Sequence, residues 1–196
     1  MIPRKVRVHF ATHDPTLSPV IETLKSFTIG TSPDPFADLV ESVISQQLSE
    51  KAAATIFERF LNLFPRRKIT PKKILSLSDK TIRDVGTSWS KVSYIKNIAK
   101  ARVDFRALER MPNEEVIVEL IKIKGVGRWT AEMFLMFSLG REDVFSFGDL
   151  GLRRAIQKLY KLKKEPTQKQ LKRISNRWKP YRTWAARVLW RSLDEA

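Results

Sequence analysis

Cysteine is absent from the 196 residues, which excludes disulfides, thiolate zinc sites, cysteine-held iron–sulfur clusters and a cysteine nucleophile. Histidine is nearly absent as well. With His9 and His13 as the full complement, histidine triads and multi-histidine metal sites lack their residues. No run approaches the ~18 consecutive apolar residues of a membrane span, and the opening MIPRKVRVHFATHD lacks the apolar core of a signal peptide. The expectation is an intracellular protein, in the cytoplasm or nucleoid if prokaryotic, without membrane contact. Acid is short too: 21 Asp and Glu stand against 37 Lys and Arg, a formal charge of +16. Any chemistry must therefore use carboxylates, lysines, hydroxyls or backbone groups.

What is present is enough apolar material for a core, 42% hydrophobic and 10% aromatic residues, which excludes global disorder. The positive charge is concentrated. Between Gly151 and Arg182 twelve basic residues face one acid, Glu165, so +11 of the +16 falls in 32 positions. Such a run reads either as a solvated face or, because neutralised phosphates release counterions, as a surface for nucleic acid.

Periodicity predicts an all-α protein of about ten short helices. After Asp34-Pro35, the apolar positions Phe36, Leu39, Val40, Val43 and Ile44 repeat at helical spacing. A polar break at Ser45-Gln46-Gln47 follows, and Ser49 opens a second stripe through Ala52, Ala53, Ile56, Phe57, Phe60 and Leu61. Similar starts stand at Asp14-Pro15, Thr70-Pro71, Ser78, Ser88 and Pro112-Asn113. Val6 to Phe10 is the one weak strand candidate.

Five of only seven glycines fall between residues 125 and 151, which marks that window for function. Residues 117–133 read as a helix, a tight Lys124-Gly125-Val126-Gly127 turn and a second helix from about Arg128. The open N–H groups of that second helix, with Lys122, Lys124 and Arg128 beside them, suit a phosphate that is gripped without reading a base. An ordinary helix–helix turn with glycine at the helix end is the alternative.

The stretch from Ile123 to Ala131 resembles the helix-hairpin-helix of the HhH-GPD DNA glycosylase superfamily, whose members carry an essential Asp in a Gly-rich loop downstream. Here that loop runs from Val144 to Arg154, with Asp149 placed 24 positions after Gly125. The segments Asp34–Val40, Ile44–Ser49 and Trp178–Trp190 are similar to the alkylbase branch, that of 3-methyladenine DNA glycosylase II, so the resemblance spans about residues 15–192. It implies two helical lobes, residues 35–134 carrying the hairpin and residues 1–34 plus 135–196 forming the other, with the active site in the cleft between them. It also implies a short form without the N-terminal mixed domain of the branch's larger members.

The resemblance implies the roles. Asp149 is the catalytic carboxylate, although its place before Leu150-Gly151-Leu152 also suits a plain helix N-cap; Glu132 is a reserve. Trp129, Trp190 and Met133 would line the base pocket. Met133 stands where the family has an aromatic, which alters the pocket. Trp190 lies roughly 200° around its helix from Val188, which shares a stripe with Tyr181 and Trp184. Gln47, with Gln46 beside it, corresponds to the wedge that fills the gap left by a flipped base, and a solvated turn is the alternative. Lys124, Gly125, Val126, Gly127, Arg128 and Thr130 would hold phosphate, and the carbonyls of Ile121, Ile123 and Val126 match those that bind Na⁺ or K⁺. No other cofactor is expected.

Bifunctional relatives carry a nucleophilic Lys two positions after the second hairpin glycine. Here that residue is Trp129, which cannot form a Schiff base. The resemblance thus implies a monomeric, monofunctional glycosylase of base excision repair, releasing alkylated purines from double-stranded DNA and leaving an abasic site. Its rivals are a glycosylase for deaminated or oxidised bases and a non-catalytic DNA-binding or damage-sensing protein.

Overall fold

A computed structural model describes residues 2–24 and 27–194, the side chain of Asp194 excepted. Among these residues the regular structure is entirely helical: thirteen α-helices and one short 3₁₀ turn, with no strand. The chain divides into two compact units, residues 1–31 with 135–196 and residues 32–134.

Residues 32–134 begin with α3 (Pro35–Ser45) and α4 (Glu50–Leu61), which follow α1 (Arg4–His13) and α2 (Ser18–Thr23) of the other unit. Asp34 starts α3 by accepting the Ala37 N–H at 3.1 Å, and Ser49 starts α4 through the Ala52 N–H. After the Pro65–Arg67 turn come α5 (Pro71–Ser76), α6 (Asp79–Asp84) and α7 (Trp89–Lys100), opened in the same way by Thr70, Ser78 and Ser88. Each such cap satisfies an N–H that the helix itself leaves unpaired and contributes about 1 kcal/mol. Helix α7 packs against α3, α5 and α6, burying Val92, Ile95 and Ile98 from its own stripe and Leu39, Val40 and Val43 from α3. The short α8 (Phe105–Leu108) leads to α9 (Asn113–Ile121), the hairpin turn and α10 (Arg128–Phe137).

The remaining unit joins the two chain termini. Helix α11 (Leu150–Leu159) packs on α13 (Arg182–Asp194), and α13 on α2, with α12 (Gln168–Asn176) between them in sequence. Thr167 and Gln170 close α12 with a reciprocal capping box.

Three expectations are corrected. The helices outnumber ten because short segments such as α5, α6 and α8 each form a separate capped turn. Val6 to Phe10 is helical within α1, and burial of Val6 and Phe10 at i, i+4 accounts for the pattern. Asp14 does not open a helix: it follows α1, and α2 starts only at Ser18. The Asp14 carboxylate is fully buried and accepts from Leu17 N (3.1 Å), Tyr160 Oη (2.5 Å) and Trp178 Nε1 (2.8 Å). It thereby ties the N-terminal segment to the C-terminal helices of the same unit. Burial and the neighbouring Asp14 push the Tyr160 hydroxyl pKa up.

Candidate active site

The hairpin turn takes its shape from Gly125. Its φ is +108°, and a Cβ there would lie 2.2 Å from Cγ and 2.5 Å from Cβ of Tyr94, so both torsion and space demand glycine. Gly127 is different. A Cβ at this position would meet nothing within 4 Å, so no neighbour inside the protein requires the glycine, and the exposed backbone opening α10 stays accessible to an outside group.

Two of the side chains expected beside this turn are hydrogen-bonded within the protein. Arg128 gives a two-pronged contact to Glu114 (2.7 and 3.0 Å) and donates Nε–H to Glu132 at 3.0 Å. Its pKa is raised, foremost by the Glu114 hydrogen bond, and its charge is spent on two carboxylates of the protein. Glu132 is buried in that pair. The Thr130 hydroxyl is buried and accepts the Gln46 side-chain amide at 3.1 Å. Arg128 thus remains exposed beside its two carboxylate partners, and the Thr130 hydroxyl lies beneath the surface. Lys124 stays exposed, with its carbonyl accepting from Asn97 at 3.1 Å.

Gln46 also donates to the Gly125 carbonyl at 3.2 Å, so its side chain is anchored to the hairpin rather than projecting. Gln47 is exposed in the left-handed region at φ 58°. Both line a cavity of about 690 Å³ together with Tyr94, Gly127, Trp129 and Met133. Trp129 is 44% exposed, whereas Met133 is buried.

Asp149 belongs to the other unit. Its carboxylate caps α11, Oδ1 accepting the Leu152 N–H at 2.7 Å, and the same oxygen accepts Trp190 Nε1–H at 3.0 Å. The group is only 9% exposed. Gly151 makes room for this pairing, since a Cβ there would lie 3.1 Å from Oδ1 and 3.2 Å from the indole. Phe137, 46% exposed, stacks on Trp190 with ring centroids 6.0 Å apart, and the Arg187 guanidinium lies 5.5 Å from the Phe137 ring. Burial and the adjacent Arg191 lower the Arg187 pKa. A largely buried carboxylate beside an aromatic shelf can stabilise a cationic centre while presenting a flat apolar surface.

Residues 40–180 match the family model described as HhH-GPD superfamily base excision DNA repair protein. The chain belongs to this superfamily. It is 39% identical over 165 residues to DNA-3-methyladenine glycosylase 1 of Schizosaccharomyces pombe, covering 81% of this chain and 72% of that one. Among solved structures it resembles a DNA-3-methyladenine glycosidase from Bacillus halodurans, with TM-score 0.84, 38% identity, and coverage of 97% and 89%. It also resembles the Schizosaccharomyces pombe 3-methyladenine DNA glycosylase in complex with abasic DNA, with TM-score 0.85, 34% identity, and 97% of each chain covered.

In this HhH-GPD chain the expected site residues fall into two groups. Gln46, Gln47, Trp129, Thr130, Met133 and the hairpin glycines come together in residues 32–134, and Asp149 meets Trp190 in the other unit. Sequence reasoning passed over Phe137, Tyr94 and Lys91. Phe137 had a signal available, an aromatic ending the apolar run of α10 just before Ser138. Tyr94 and Lys91 act on loops distant in sequence and left none. Among the described residues no three His, Cys, Asp or Glu side chains group to hold a metal ion, and no helix is long and apolar enough to cross a membrane. The basic run forms an exposed surface on α11, α12 and their connection, where Lys158, Lys161, Lys163, Lys164, Lys169 and Lys172 all face solvent; Glu165 pairs with Arg153 at 2.9 Å.

Proposed function

We propose that this protein is a monofunctional DNA glycosylase of base excision repair, hydrolysing the N-glycosidic bond of alkylated purines such as 3-methyladenine and 7-methylguanine in duplex DNA. The observation that carries the reading is the Asp149 carboxylate held by Leu152 N–H and Trp190 Nε1–H on one oxygen, in a chain of this superfamily. The named activity of its relatives supports the substrate class.

An alkylated purine is already cationic and leaves readily, so the protein's task is to stabilise the sugar as positive charge develops on it. An Asp149 carboxylate about 4 Å from that charge, at an effective dielectric near 20, is worth roughly 4 kcal/mol, or about a thousandfold in rate. The same carboxylate can orient the attacking water. Trp129 and Met133 line the cavity that takes the base, where stacking on an electron-rich ring favours the cationic lesion over a neutral purine, and Trp190 holds the Asp149 carboxylate in place. The backbone at Gly127 and the first turn of α10 takes a phosphate through its N–H groups, with Lys124 adding charge. Gln47 fills the gap left by the extruded base and can hydrogen-bond the orphaned partner. Trp129 stands where a lyase would need an amine, so an intact abasic site is left.

The carbonyls of Ile121, Ile123 and Val126 suit a monovalent cation. The Ile123 carbonyl accepts only from Val126 N–H, at 2.9 Å, among the backbone turn bonds, which leaves a lone pair for an ion. Such an ion would place a positive charge beside the phosphate.

The test is base release from methylated duplex DNA by the wild type and Asp149→Asn, with strand breaks scored before and after hot alkali. Free methylated purine, breaks only after alkali, and loss of both in Asp149→Asn are expected. Salt-dependent DNA binding without base release would overturn the reading and leave Asp149 as a helix cap.

A further inference from the structure

The Gln46–Gln47 turn is held from below by a residue that belongs neither to the turn nor to the hairpin. The Lys91 ammonium, from the first turn of α7, donates to the Ile44 carbonyl and to the Gln46 carbonyl, each at 2.7 Å. Ile44 is in the last turn of α3, where carbonyls have no partner within the helix, and Gln46 is the residue at which the helix ends. The next residue, Gln47, turns left-handed at φ 58°. That conformation disfavours a side chain with a Cβ and persists when its surroundings hold it. Lys91 ties down the main chain on the near side of the bend.

The same face of α7 also reaches the hairpin. Tyr94, three residues on, fills the space in front of Gly125, and Asn97, three further, donates to the Lys124 carbonyl at 3.1 Å. Residues three apart on a helix are neighbours on its surface. One helix thus carries consecutive supports for two loops that lie far apart in sequence, and the Gln46 amide links those loops directly through the Gly125 carbonyl and Thr130.

We propose that Lys91 is a positioning residue for base extrusion: its two hydrogen bonds fix the backbone that presents Gln47, and the α7 face keeps Gln47 in register with the phosphate-gripping hairpin. Lys91 touches no substrate. Its effect passes through Gln47, and the inference rests on the glycosylase reading above. Burial lowers the Lys91 pKa, in keeping with an ammonium withdrawn from water for a structural contact.

The experiment is a double-mutant cycle of Lys91→Met and Gln47→Ala, read by single-turnover base release from methylated duplex DNA. The fluorescence of 2-aminopurine placed next to the lesion reports extrusion separately. All rates are taken where circular dichroism shows each variant folded. Hydrogen bonds from a charged donor are worth enough that Lys91→Met should slow extrusion and release about tenfold. On the Gln47→Ala background the same change should cost little, because the side chain it positions has gone. Losses that multiply, or a Lys91→Met protein extruding the base at the wild-type rate, would overturn the proposal. If Lys91→Met does not fold, Lys91→Arg replaces it in the cycle, keeping the cation while moving its donors off the two carbonyls. Base release by wild type but not by Asp149→Asn establishes the underlying reading independently; absence of release by wild type sinks that reading and this inference together.

Discussion

Oδ1 of Asp149 serves two donors, the Leu152 N–H that begins α11 and the indole N–H of Trp190, so capping and catalysis draw on the same side chain. Substitutions can separate them. Asparagine retains an amide oxygen able to accept both bonds, so Asp149→Asn should leave Tm nearly unchanged while base release falls about a thousandfold with the lost negative charge. Alanine removes the cap as well and should lower stability by a further ~1 kcal/mol in denaturant titration. An Asn variant as active as wild type would mean that the carboxylate only caps. Glu41 is a carboxylate of the opposite kind. Its pKa is raised, chiefly by burial and then by Asp38 and Glu58, so the folded state holds its proton more tightly than the unfolded chain does. The contribution of that proton is present at pH below the ordinary 4.5 and disappears as pH rises through the raised folded value. Glu41→Gln should therefore raise Tm at pH 7 and give no gain at low pH, where the carboxyl is neutral in both states. A Tm gain that persists unchanged at low pH would assign the effect to something other than charge.

At the scale of the element, the two hairpin glycines should answer alanine differently. At Gly125 a Cβ meets the root of the Tyr94 side chain at φ +108°, and Gly125→Ala should destabilise by roughly 2 kcal/mol or more through strain and overpacking. Gly127 has open space around it, so Gly127→Ala should leave stability within about 0.5 kcal/mol of wild type yet weaken binding to lesion-bearing duplex, as a methyl group crowds an approaching phosphate. Equal Tm losses in the two variants would contradict this. The sequence distinguished neither glycine from the other, because Tyr94 lies 31 positions before Gly125. Helix starts were legible for the converse reason: at Asp34, Ser49, Thr70, Ser78 and Ser88 the capping oxygen bonds an N–H three residues on, so donor and acceptor are both visible in a short window. Asp14 makes the same local bond, to Leu17 N–H, but its carboxylate also takes Tyr160 and Trp178, 146 and 164 positions away, and the residues that follow it form only a turn before α2. The partners of Arg128 and Thr130 were hidden for the same reason. Glu114 lies 14 positions from Arg128 and Gln46 84 positions from Thr130, so these bonds are set by packing.

For the molecule as a whole, the balance of charge is the feature that local bonding leaves unexplained. Several acids elsewhere are matched by a cation: Glu58 holds Arg67, Asp84 holds Lys80 and Asp143 holds Arg182. The basic surface on α11 and α12 has one acid, Glu165, already paired with Arg153. Self-repulsion among exposed lysines destabilises a folded chain, and a polyanion relieves it while releasing counterions. If this surface meets the DNA backbone, neutralising Lys163, Lys164 and Lys172 together to Gln should reduce the slope of log K against log salt by about 2 to 3, roughly one unit for each phosphate that no longer meets a lysine. The single-turnover rate at saturating enzyme should stay within about twofold of wild type, because no charge near Asp149 has been altered and only exposed surface positions have changed. Filter binding of the same duplex across a salt series reads the slope directly. An unchanged slope would return the cluster to a solvated face and leave the hairpin as the protein's hold on the phosphate backbone.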